Sequence, residues 1–342
     1  MIRYEIRGAT PEDETDLLGL AGELDTVNLP HDAAHVRRLL DLSTRSFSGE
    51  IADSFQRRYV FVLSDLEAHR LAGTSMIIAQ HGRREAPYIY FDVYPEERYS
   101  RTLDRYFHHT VMRLDFAYDG PTEIGGLVVS SDYRKAPERL GQLISYVRFL
   151  FIGGHRDRFR AEVVAELLPP LEPDGTSHLW EALGRRFTNL SYQEADRLSS
   201  ENKDFIEALF PRGSIYATLL SADAQSVIGE VGAQTKGVER MLRRVGFRYL
   251  NRVDPFDGGP HFGAATEEIT LVKQTKRVLV ERENPAPGAP RGLVGIDFAT
   301  PPFFRAVACH AELAGDALRV PEDVRAHLGL ETGQSAVWLE LP

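Results

Sequence analysis

Several features that would place the chain in a specialised class of protein are scarce or absent. The 342 residues contain one cysteine, Cys309, which excludes an intrachain disulfide. No uncharged apolar run approaches the roughly 18 residues that a membrane-spanning helix needs. The amino terminus lacks the basic and then apolar segments of a secretory signal, so we expect none. These absences predict a soluble, cytoplasmic protein of a reducing compartment.

An excess of positive charge is also missing. Forty Lys and Arg residues stand against fifty Asp and Glu residues, which gives a net charge of -10. Binding to a nucleic-acid duplex needs a dense basic surface, and no Lys/Arg stripe is present. We therefore expect neither nucleic acid nor a membrane as a partner. The hydrophobic fraction of 43% and the charged fraction of 26% are those of a globular chain.

Alternating strand and helix patterns predict an α+β fold. Two apolar runs, Arg58-YVFVL and Leu71-AGTSMIIA, flank a polar turn and predict an antiparallel hairpin. Apolar residues at three- and four-residue spacing predict a buried helix from Leu140 to about Phe159. Further helices are predicted over Pro11 to Leu20, with Thr10 as N-cap, over His31 to Leu42, over Ala222 to Ile228 and from Val238; further strands are predicted over Ile2 to Arg7, at Tyr88-IYFDVY, Ile124-GGLVV, Glu162-VVAEL and Arg248-YLNRV.

Two patterns bear on the organisation of the second half. The segments LWEALGRRF and VERMLRRVGF are weakly alike, which suggests a degenerate repeat of one supersecondary unit. NPAPGAPR, residues 284–291, is typical of a turn or linker. The residues after it predict a small β-rich appendage with one short helix.

The strand Ile124-GGLVV, the turn after it and the helix from Leu140 form a pattern that can bind an anion. The first N–H groups of a helix are unpaired within the helix and carry partial positive charge, which attracts phosphate. Arg134 and Arg139 could add side-chain donors. Taken alone, the pattern more often marks an ordinary strand–turn–helix connection with solvated arginines.

A longer series of segments resembles the arginine N-succinyltransferase family. The resemblance begins at Tyr59-VFVL and continues in the family's order to residue 260. The matching runs are RFLFIGGHRDRF, VVAEL, DGTSHLWEALGRRF, Ala195-Asp-Arg-Leu, FIEALFPRGSIYATLL, AQSVIGEV and GFRYLNRVDPFDGGP. The resemblance implies a GNAT-like acyl-CoA N-acyltransferase fold, with a mixed sheet flanked by helices. It also implies transfer of a succinyl group from succinyl-CoA to the α-amine of arginine or a related cationic amino acid.

The resemblance also implies where succinyl-CoA binds. The family position that contacts succinyl-CoA falls on Leu127, so Leu127, Val128 and Val129 are expected beside the pantetheine. A strand N–H near the thioester carbonyl would stabilise the developing oxyanion. The resemblance further implies that the phosphate groups of succinyl-CoA bind in the turn after this strand, at Arg134, Arg139 and Gly141. This turn departs from the family pattern, because it has extra residues and retains only the glycine at 141.

The general acid of the family is not found at its usual place. In the family a histidine follows a VIGxV run, whereas here VIGEV is followed by Gly232. His261, Tyr216 and Glu230 are the candidate catalytic substitutes, and each is also explained by a purely structural role. Restoring histidine at 232 would then modestly raise turnover, unless glycine is needed there for a positive φ.

Carboxylates are expected to bind the cationic end of the substrate. A guanidinium favours bidentate contact with a carboxylate, and Asp254, Asp257 and Glu267 are the candidates. The FDGGP segment has an alternative explanation, because Asp-Gly-Gly forms a tight turn without any ligand.

Three other motifs are predicted to carry no chemistry. HDAAH, with His31 and His35, lacks the glutamate and the third ligand of a zinc site, so we expect no metal. The adjacent His108 and His109 are predicted on a solvated helix face. Cys309 is predicted to be a small buried residue.

The organisation that follows has three segments. Residues 1–200 are predicted to bind acyl-CoA, residues 201–283 to complete the acceptor site, and residues 284–342 to form the β-rich appendage. Succinyl-CoA is expected as a co-substrate, with no permanently bound cofactor. Family members occur as two related subunits, which implies a homo-oligomer or a paralogous partner. A non-catalytic acyl-CoA-binding subunit and an acyltransferase with another donor or acceptor stay open as alternatives.

Overall fold

The computed structural model describes residues 2–23, 29–84, 86–201 and 203–342. The chain forms two compact units that are interleaved in sequence. The first unit comprises residues 1–80, 122–161 and 265–342, and the second comprises residues 81–121 and 162–264. The three segments predicted from the sequence were defined by their expected roles in binding acyl-CoA and the acceptor. That assignment of roles stays a prediction.

The helices and strands follow each other in mixed order. In chain order the helices are α1 Glu14–Glu23, α2 Ala33–Phe47, α3 Leu140–Gly154, α4 Arg185–Thr188, α5 Tyr192–Glu201, α6 Asp204–Leu209, α7 Ala222–Val227, α8 Lys236–Arg244, α9 Thr270–Gln274 and α10 Glu322–Leu328. The strands are β1 Tyr4–Gly8, β2 Arg58–Asp65, β3 Arg70–Ile78, β4 Tyr88–Ser100, β5 Arg105–Ala117, β6 Thr122–Val129, β7 Glu162–Glu166, β8 Ile215–Tyr216, β9 Arg248–Val253, β10 Pro260–Ala265, β11 Lys276–Glu281, β12 Arg291–Asp297, β13 Phe304–His310, β14 Glu312–Ala314, β15 Ala317–Arg319 and β16 Ser335–Glu340.

The first unit is built on a mixed sheet with the strand order β14-β15-β11-β16-β12-β13-β1-β2-β3-β6. Strands β11 and β15 run parallel, and β2 and β3 form the predicted antiparallel hairpin. The predicted C-terminal segment is β-rich, and its strand β13 pairs with β1. These strands therefore extend the sheet of the first unit.

Helix α3 is the central helix of the first unit. It begins at Leu140 as predicted, and all its residues from Leu143 to Ile152 are buried. It ends at Gly154, five residues before the expected Phe159, because His155 leaves the helical region with φ -134 and ψ 48. The His155 ring also contacts the Phe151 carbonyl at 3.0 Å, at the helix end.

The predicted starts of the first two helices are close to those observed. The Thr10 N–H donates to the Asp13 carboxylate at 2.8 Å, and a short 3-10 turn from Pro11 to Asp13 leads into α1. Helix α2 begins at Ala33 because the Asp32 carboxylate accepts from the N–H of His35 at 2.6 Å and caps it. His31 therefore precedes the helix and does not share a helix face with His35.

The second unit has the strand order β7-β10-β9-β4-β5-β8. Strands β4 and β5 form a long antiparallel hairpin in which Tyr88 is opposite Ala117 and Ser100 is opposite Arg105. The predicted helix face for His108 and His109 is wrong, because both lie on β5. The core of this unit includes Trp180, whose indole stacks on the Phe256 ring at 5.0 Å.

The two weakly similar segments do not begin equivalent units. The first forms a π-helical turn, Trp180–Gly184, followed by α4 and the further helix α5. The second forms α8 and continues into strand β9. Their likeness therefore reflects amphipathic helices of similar composition. Among the described residues, no helix has the length and apolar character needed to cross a membrane.

Candidate active site

A bulge interrupts strand β6 at the residues predicted to bind acyl-CoA. Met76 on β3 is opposite Gly125, while Thr74 is opposite Val128, so β6 contains an extra residue between the two pairs. Gly126 adopts φ 54 at this point, and a Cβ built on it would lie 2.6 Å from Met76 Cε. The positive backbone angle therefore favours glycine, whereas the contact with the flexible end of Met76 could be relieved by movement of that side chain.

The carboxyl end of β6 leads to the amino end of α3. The residue before the helix, Arg139, has left-handed torsions, φ 58 and ψ 50. A Cβ built on Gly141 would lie 3.7 Å from a methyl group of Val129. The first turn of a well-buried 15-residue helix therefore lies beside the end of the bulged strand. The strand, the turn and the helix therefore adjoin as predicted, and the binding of an anion there stays a prediction.

Arg134 is held at this turn by two contacts. Its Nε donates to the Val129 carbonyl at 2.9 Å, and its Nη2 lies 3.3 Å from the Glu23 carboxylate. The same carboxylate accepts from the N–H of Ser131 at 2.7 Å. Glu23 therefore accepts from two donors that a phosphate group could use.

His261 lies in a buried cluster of the second unit. It is 0% exposed on β10, and its Nδ1 lies 2.5 Å from the hydroxyl of Tyr88. The two rings are nearly parallel, with centroids 5.5 Å apart. Its Nε2 lies 3.7 Å from a carboxylate oxygen of Glu166, the last residue of β7. When Nδ1 carries the proton, it donates to the Tyr88 oxygen, and Nε2 on the side of Glu166 is then the nitrogen that can accept a proton.

Asp254 adds a second acid to this cluster. One ligand atom each of Glu166, Asp254 and His261 lies within 4.8 Å of the others. The set could hold a divalent cation, and two carboxylates also suit a guanidinium or ammonium group. Sequence reasoning named Asp254 and His261 but missed Glu166 and Tyr88. The available signal for Glu166 was an acid at the end of a buried apolar strand.

Asp257 has a structural role in the FDGGP turn. Its Oδ1 accepts from the N–H of Gly259 at 2.7 Å, and Gly258 has φ 82. The Asp257 side chain is buried, and burial together with the charge of Asp254 raises its pKa well above the ordinary value. The Tyr192 hydroxyl lies 3.4 Å from its other oxygen. The turn therefore accounts for the main contacts of Asp257, and its predicted role in substrate binding stays a prediction.

The other candidates lie in different settings. The Tyr216 hydroxyl donates to Glu96 at 2.9 Å and accepts from Arg98 at 2.6 Å, both residues of the β4–β5 hairpin. Glu230 is exposed on the loop after α7. Glu267 belongs to the first unit, where it forms an ion pair with Arg156. Their roles in catalysis and substrate binding also stay predictions.

Gly232 is fixed by close backbone contacts. Its N–H donates to the Leu168 carbonyl at 2.8 Å. A Cβ at this position would lie 2.6 Å from the Pro169 oxygen and 2.9 Å from the Leu168 oxygen. Gly232 is not among the described glycines with positive φ, so the predicted torsional reason is wrong. The glycine is needed because another stretch of backbone passes too close for a side chain.

The mixed sheet flanked by helices, with a bulged strand leading into the amino end of α3, confirms the predicted GNAT-like acyltransferase fold. Comparison with known proteins narrows this class. The family described as "Arginine N-succinyltransferase beta subunit" matches residues 4–271. The chain belongs to the arginine N-succinyltransferase family.

Similar proteins in this family cover most of the chain. An arginine N-succinyltransferase of Citrobacter koseri is 33% identical over 286 residues, which are 83% of this chain and 82% of that protein. One from Yersinia enterocolitica is 30% identical over 333 residues, 96% and 95% of the two chains. The solved structure of arginine/ornithine succinyltransferase subunit AI from Pseudomonas aeruginosa superposes with a TM-score of 0.83 at 28% identity, and covers 99% of both chains.

Proposed function

We propose that the protein transfers the succinyl group of succinyl-CoA to the α-amine of arginine. The observation that carries this proposal is the similarity to arginine N-succinyltransferases along nearly the whole chain. The amine nitrogen attacks the thioester carbonyl carbon, the carbon–sulfur bond breaks, and CoA leaves as a thiolate. No covalent enzyme intermediate is involved. A non-catalytic subunit is not favoured, because the similar proteins that span the chain are named as the enzyme.

Binding of the acyl donor, succinyl-CoA, is assigned to β6 and the amino end of α3. The extra residue of the bulge lies outside the regular ladder with β3, which suits a strand whose backbone must also serve a ligand. Leu127 and Val129 are partly exposed on this strand and flank the buried Val128. The amino end of α3, with Gly141 in its first turn, would receive the pyrophosphate. Arg134 and Arg139 would supply the side-chain charge.

Removal of the proton from the acceptor amine is assigned to the cluster around His261. The amine loses a proton when it forms the amide, and a neutral imidazole can accept it. The Glu166 carboxylate at 3.7 Å would stabilise the resulting imidazolium, while the Tyr88 hydroxyl holds Nδ1. Protonation of the thiolate needs less help, because a thiol has a pKa of about 8.5 in water. This difference makes the absence of histidine at 232 tolerable.

Recognition of the cationic amino acid is assigned to the acids of the same cluster. Glu166 and Asp254 are half-buried, and a half-buried carboxylate pairs with a guanidinium more strongly than a fully solvated one. Asp254 was predicted for this role, and the closeness of Glu166 to Asp254 supports the same role for Glu166. The two carboxylates would thus select a positively charged acceptor.

A direct test follows the release of free thiol. Purified protein is incubated with succinyl-CoA and L-arginine, and the product is identified by its mass. We expect thiol release that depends on both substrates and yields N-succinylarginine. Ornithine, lysine and citrulline serve as a charge-graded panel. The absence of thiol release with every amine would contradict the proposal.

The location and the oligomeric state of the protein are further parts of the proposal. Succinyl-CoA is a polyanion that does not cross membranes unaided, so a cytoplasmic location fits its use. Association with a second copy or with a paralogous subunit stays a prediction. Light scattering on the purified chain would measure its oligomeric state.

A further inference from the structure

Arg148 is a cation buried inside the first unit. It lies in the middle of α3 and is 2% exposed. Its Nε and Nη2 donate to the carbonyl and the hydroxyl of Ser145 at 3.0 and 2.8 Å. Its Nη1 lies 3.4 Å from the carbonyl oxygen of Gly125. All three contacts are with neutral groups.

No acid among the described residues forms an ion pair with Arg148. Burial lowers the pKa of this guanidinium to about 9, and no neighbouring charge contributes to the shift. The group is still protonated at neutral pH. A buried charge is ordinarily paired, because hydrogen bonds to neutral groups replace only part of its lost hydration. The fold therefore maintains a cation that lacks an anion.

The position of Arg148 beside β6, the strand to which acyl-CoA is assigned, indicates what this cation could bind. Its contact residue Gly125 is partly exposed and begins the bulge of β6. Gly125 lies four residues before Val129, which is about 13 Å along a strand. Arg148 lies eight residues after Leu140, which is about 12 Å along a helix. A pantetheine that runs along β6 from the amino end of α3 would thus bring its acyl end to the level of Arg148.

The chemistry of the donor supplies the missing anion. A succinyl group differs from common acyl groups by a carboxylate two methylene groups beyond the thioester carbonyl. A planar guanidinium is the side chain best suited to bind such a carboxylate through two hydrogen bonds. An acetyl or propionyl group would leave the buried cation unpaired, and the energetic penalty would count against these donors.

We propose that Arg148 binds the distal carboxylate of the succinyl group and thereby selects a dicarboxylic acyl-CoA as the donor. This inference rests on the proposed function, since it assigns a specificity residue to the same donor site. Arg148 acts at the end of the acyl chain, away from the bond that breaks. Its effect is therefore on donor affinity and selectivity, whereas the attack on the carbonyl depends on other groups.

The test compares the affinities of three CoA species in the absence of an acceptor. These are succinyl-CoA, 4-methylpentanoyl-CoA, in which an uncharged isopropyl group replaces the carboxylate, and free CoA. We expect wild-type protein to bind succinyl-CoA at least tenfold more tightly than the uncharged analogue. Arg148→Met should weaken succinyl-CoA binding by roughly ten- to a hundredfold, the range for a charge-assisted contact. Binding of the analogue and of CoA should change by less than about threefold.

Two further variants separate ligand recognition from packing. Arg148→Lys keeps the charge but loses the planar fork, so it should retain part of the preference for succinyl-CoA. Ser145→Ala removes a neutral partner of Arg148 and keeps the cation, so its preference should stay close to that of wild type. An equal loss for all three CoA species in Arg148→Met would show a structural role and overturn the proposal.

The outcome is decided even if Arg148→Met does not fold. A wild-type protein that binds succinyl-CoA and the uncharged analogue equally well would overturn the inference without any variant. Wild-type transfer of succinyl to arginine together with full selectivity in Arg148→Lys and Arg148→Met would refute the inference and leave the proposed function intact. Selective binding of succinyl-CoA without transfer to any amine would refute the proposed function and support the carboxylate site.

Discussion

Replacement of Gly232 by alanine should destabilise the second unit. The new methyl group would lie 2.6 Å from the Pro169 oxygen and 2.9 Å from the Leu168 oxygen. Both are backbone atoms, so the contact can be relieved only by moving the chain. Overpacking of this kind costs about 1–3 kcal/mol. For a chain of 342 residues, whose unfolding entropy is about 0.7 kcal/mol/K, we expect the melting temperature to fall by roughly 1–4 °C.

Gly237→Ala is a matched control five residues further along. Nothing lies within 4 Å of a Cβ built on Gly237, which is exposed near the start of α8. Alanine is the better helix former by about 1 kcal/mol, so this variant should melt at the same temperature as wild type or higher. The assay is thermal unfolding followed by circular dichroism on both variants side by side. Equal melting temperatures for Gly232→Ala and wild type would refute the packing argument.

The same contacts predict the effect of histidine at position 232. A larger side chain meets the same carbonyl oxygens, so Gly232→His should lose stability without gaining turnover, contrary to the expectation from the sequence. Measurement of kcat beside the melting temperature distinguishes the two. A clear rise in kcat with unchanged stability would show that the loop adapts easily and presents the imidazole to the substrate.

Three further predictions concern the site. His261→Ala should lower kcat by about a hundredfold and Tyr88→Phe by less, as expected for loss of a general base and of its hydrogen bond, while Tyr216→Phe should retain turnover in the thiol-release assay. Asp257 has a raised pKa in the folded state, so the stability contributed by its protonation is present at low pH and lost as the pH rises through that pKa. Asp257→Asn should therefore gain melting temperature relative to wild type between pH 4 and pH 8, and a pH-independent difference would contradict this sign. Arg134→Glu should weaken CoA binding by roughly tenfold, since its half-exposed guanidinium is screened by water, and calorimetry at two salt concentrations would show whether the loss is electrostatic.

The parts of the fold that could be predicted are those whose pattern is local. Strands β2 and β3 have continuous apolar runs, and their hairpin follows from the polar turn between them. Strand β5 was not predicted, although it has 13 residues. Its first half is exposed or only partly buried, so no alternation of apolar and polar residues marks it. A hairpin that extends beyond the core lacks the one-sided burial on which sequence patterns depend.

In the candidate site, too, only the residues that lie close together in the sequence could be predicted. Leu127 and the turn before α3 could be recognised because the strand, the turn and the helix follow each other in the chain. Tyr88 and His261 are 173 residues apart in sequence, and their contact arises only from the order of strands in the sheet. Arg148 lies within a recognised family segment, but its sequence position gives no sign that its charge is buried and unpaired. Such properties depend on the neighbours that folding brings, which a local pattern does not contain.

The short segment after β7 connects Gly232 to the proposed catalytic cluster around His261. The Leu167 N–H donates to the Pro260 carbonyl, and the Leu168 carbonyl accepts from the N–H of Gly232. A Cβ on Gly259 would collide with the Leu167 oxygen, so this glycine is also needed for a close approach. Backbone at the start of β10 and in the loop that contains Gly232 thus holds the residues that immediately follow Glu166. A side chain at 232 would push this segment away and displace the Glu166 carboxylate from His261. The glycine that replaces the family's histidine therefore supports the proposed site through packing, because it allows the close backbone approach that keeps Glu166 beside His261.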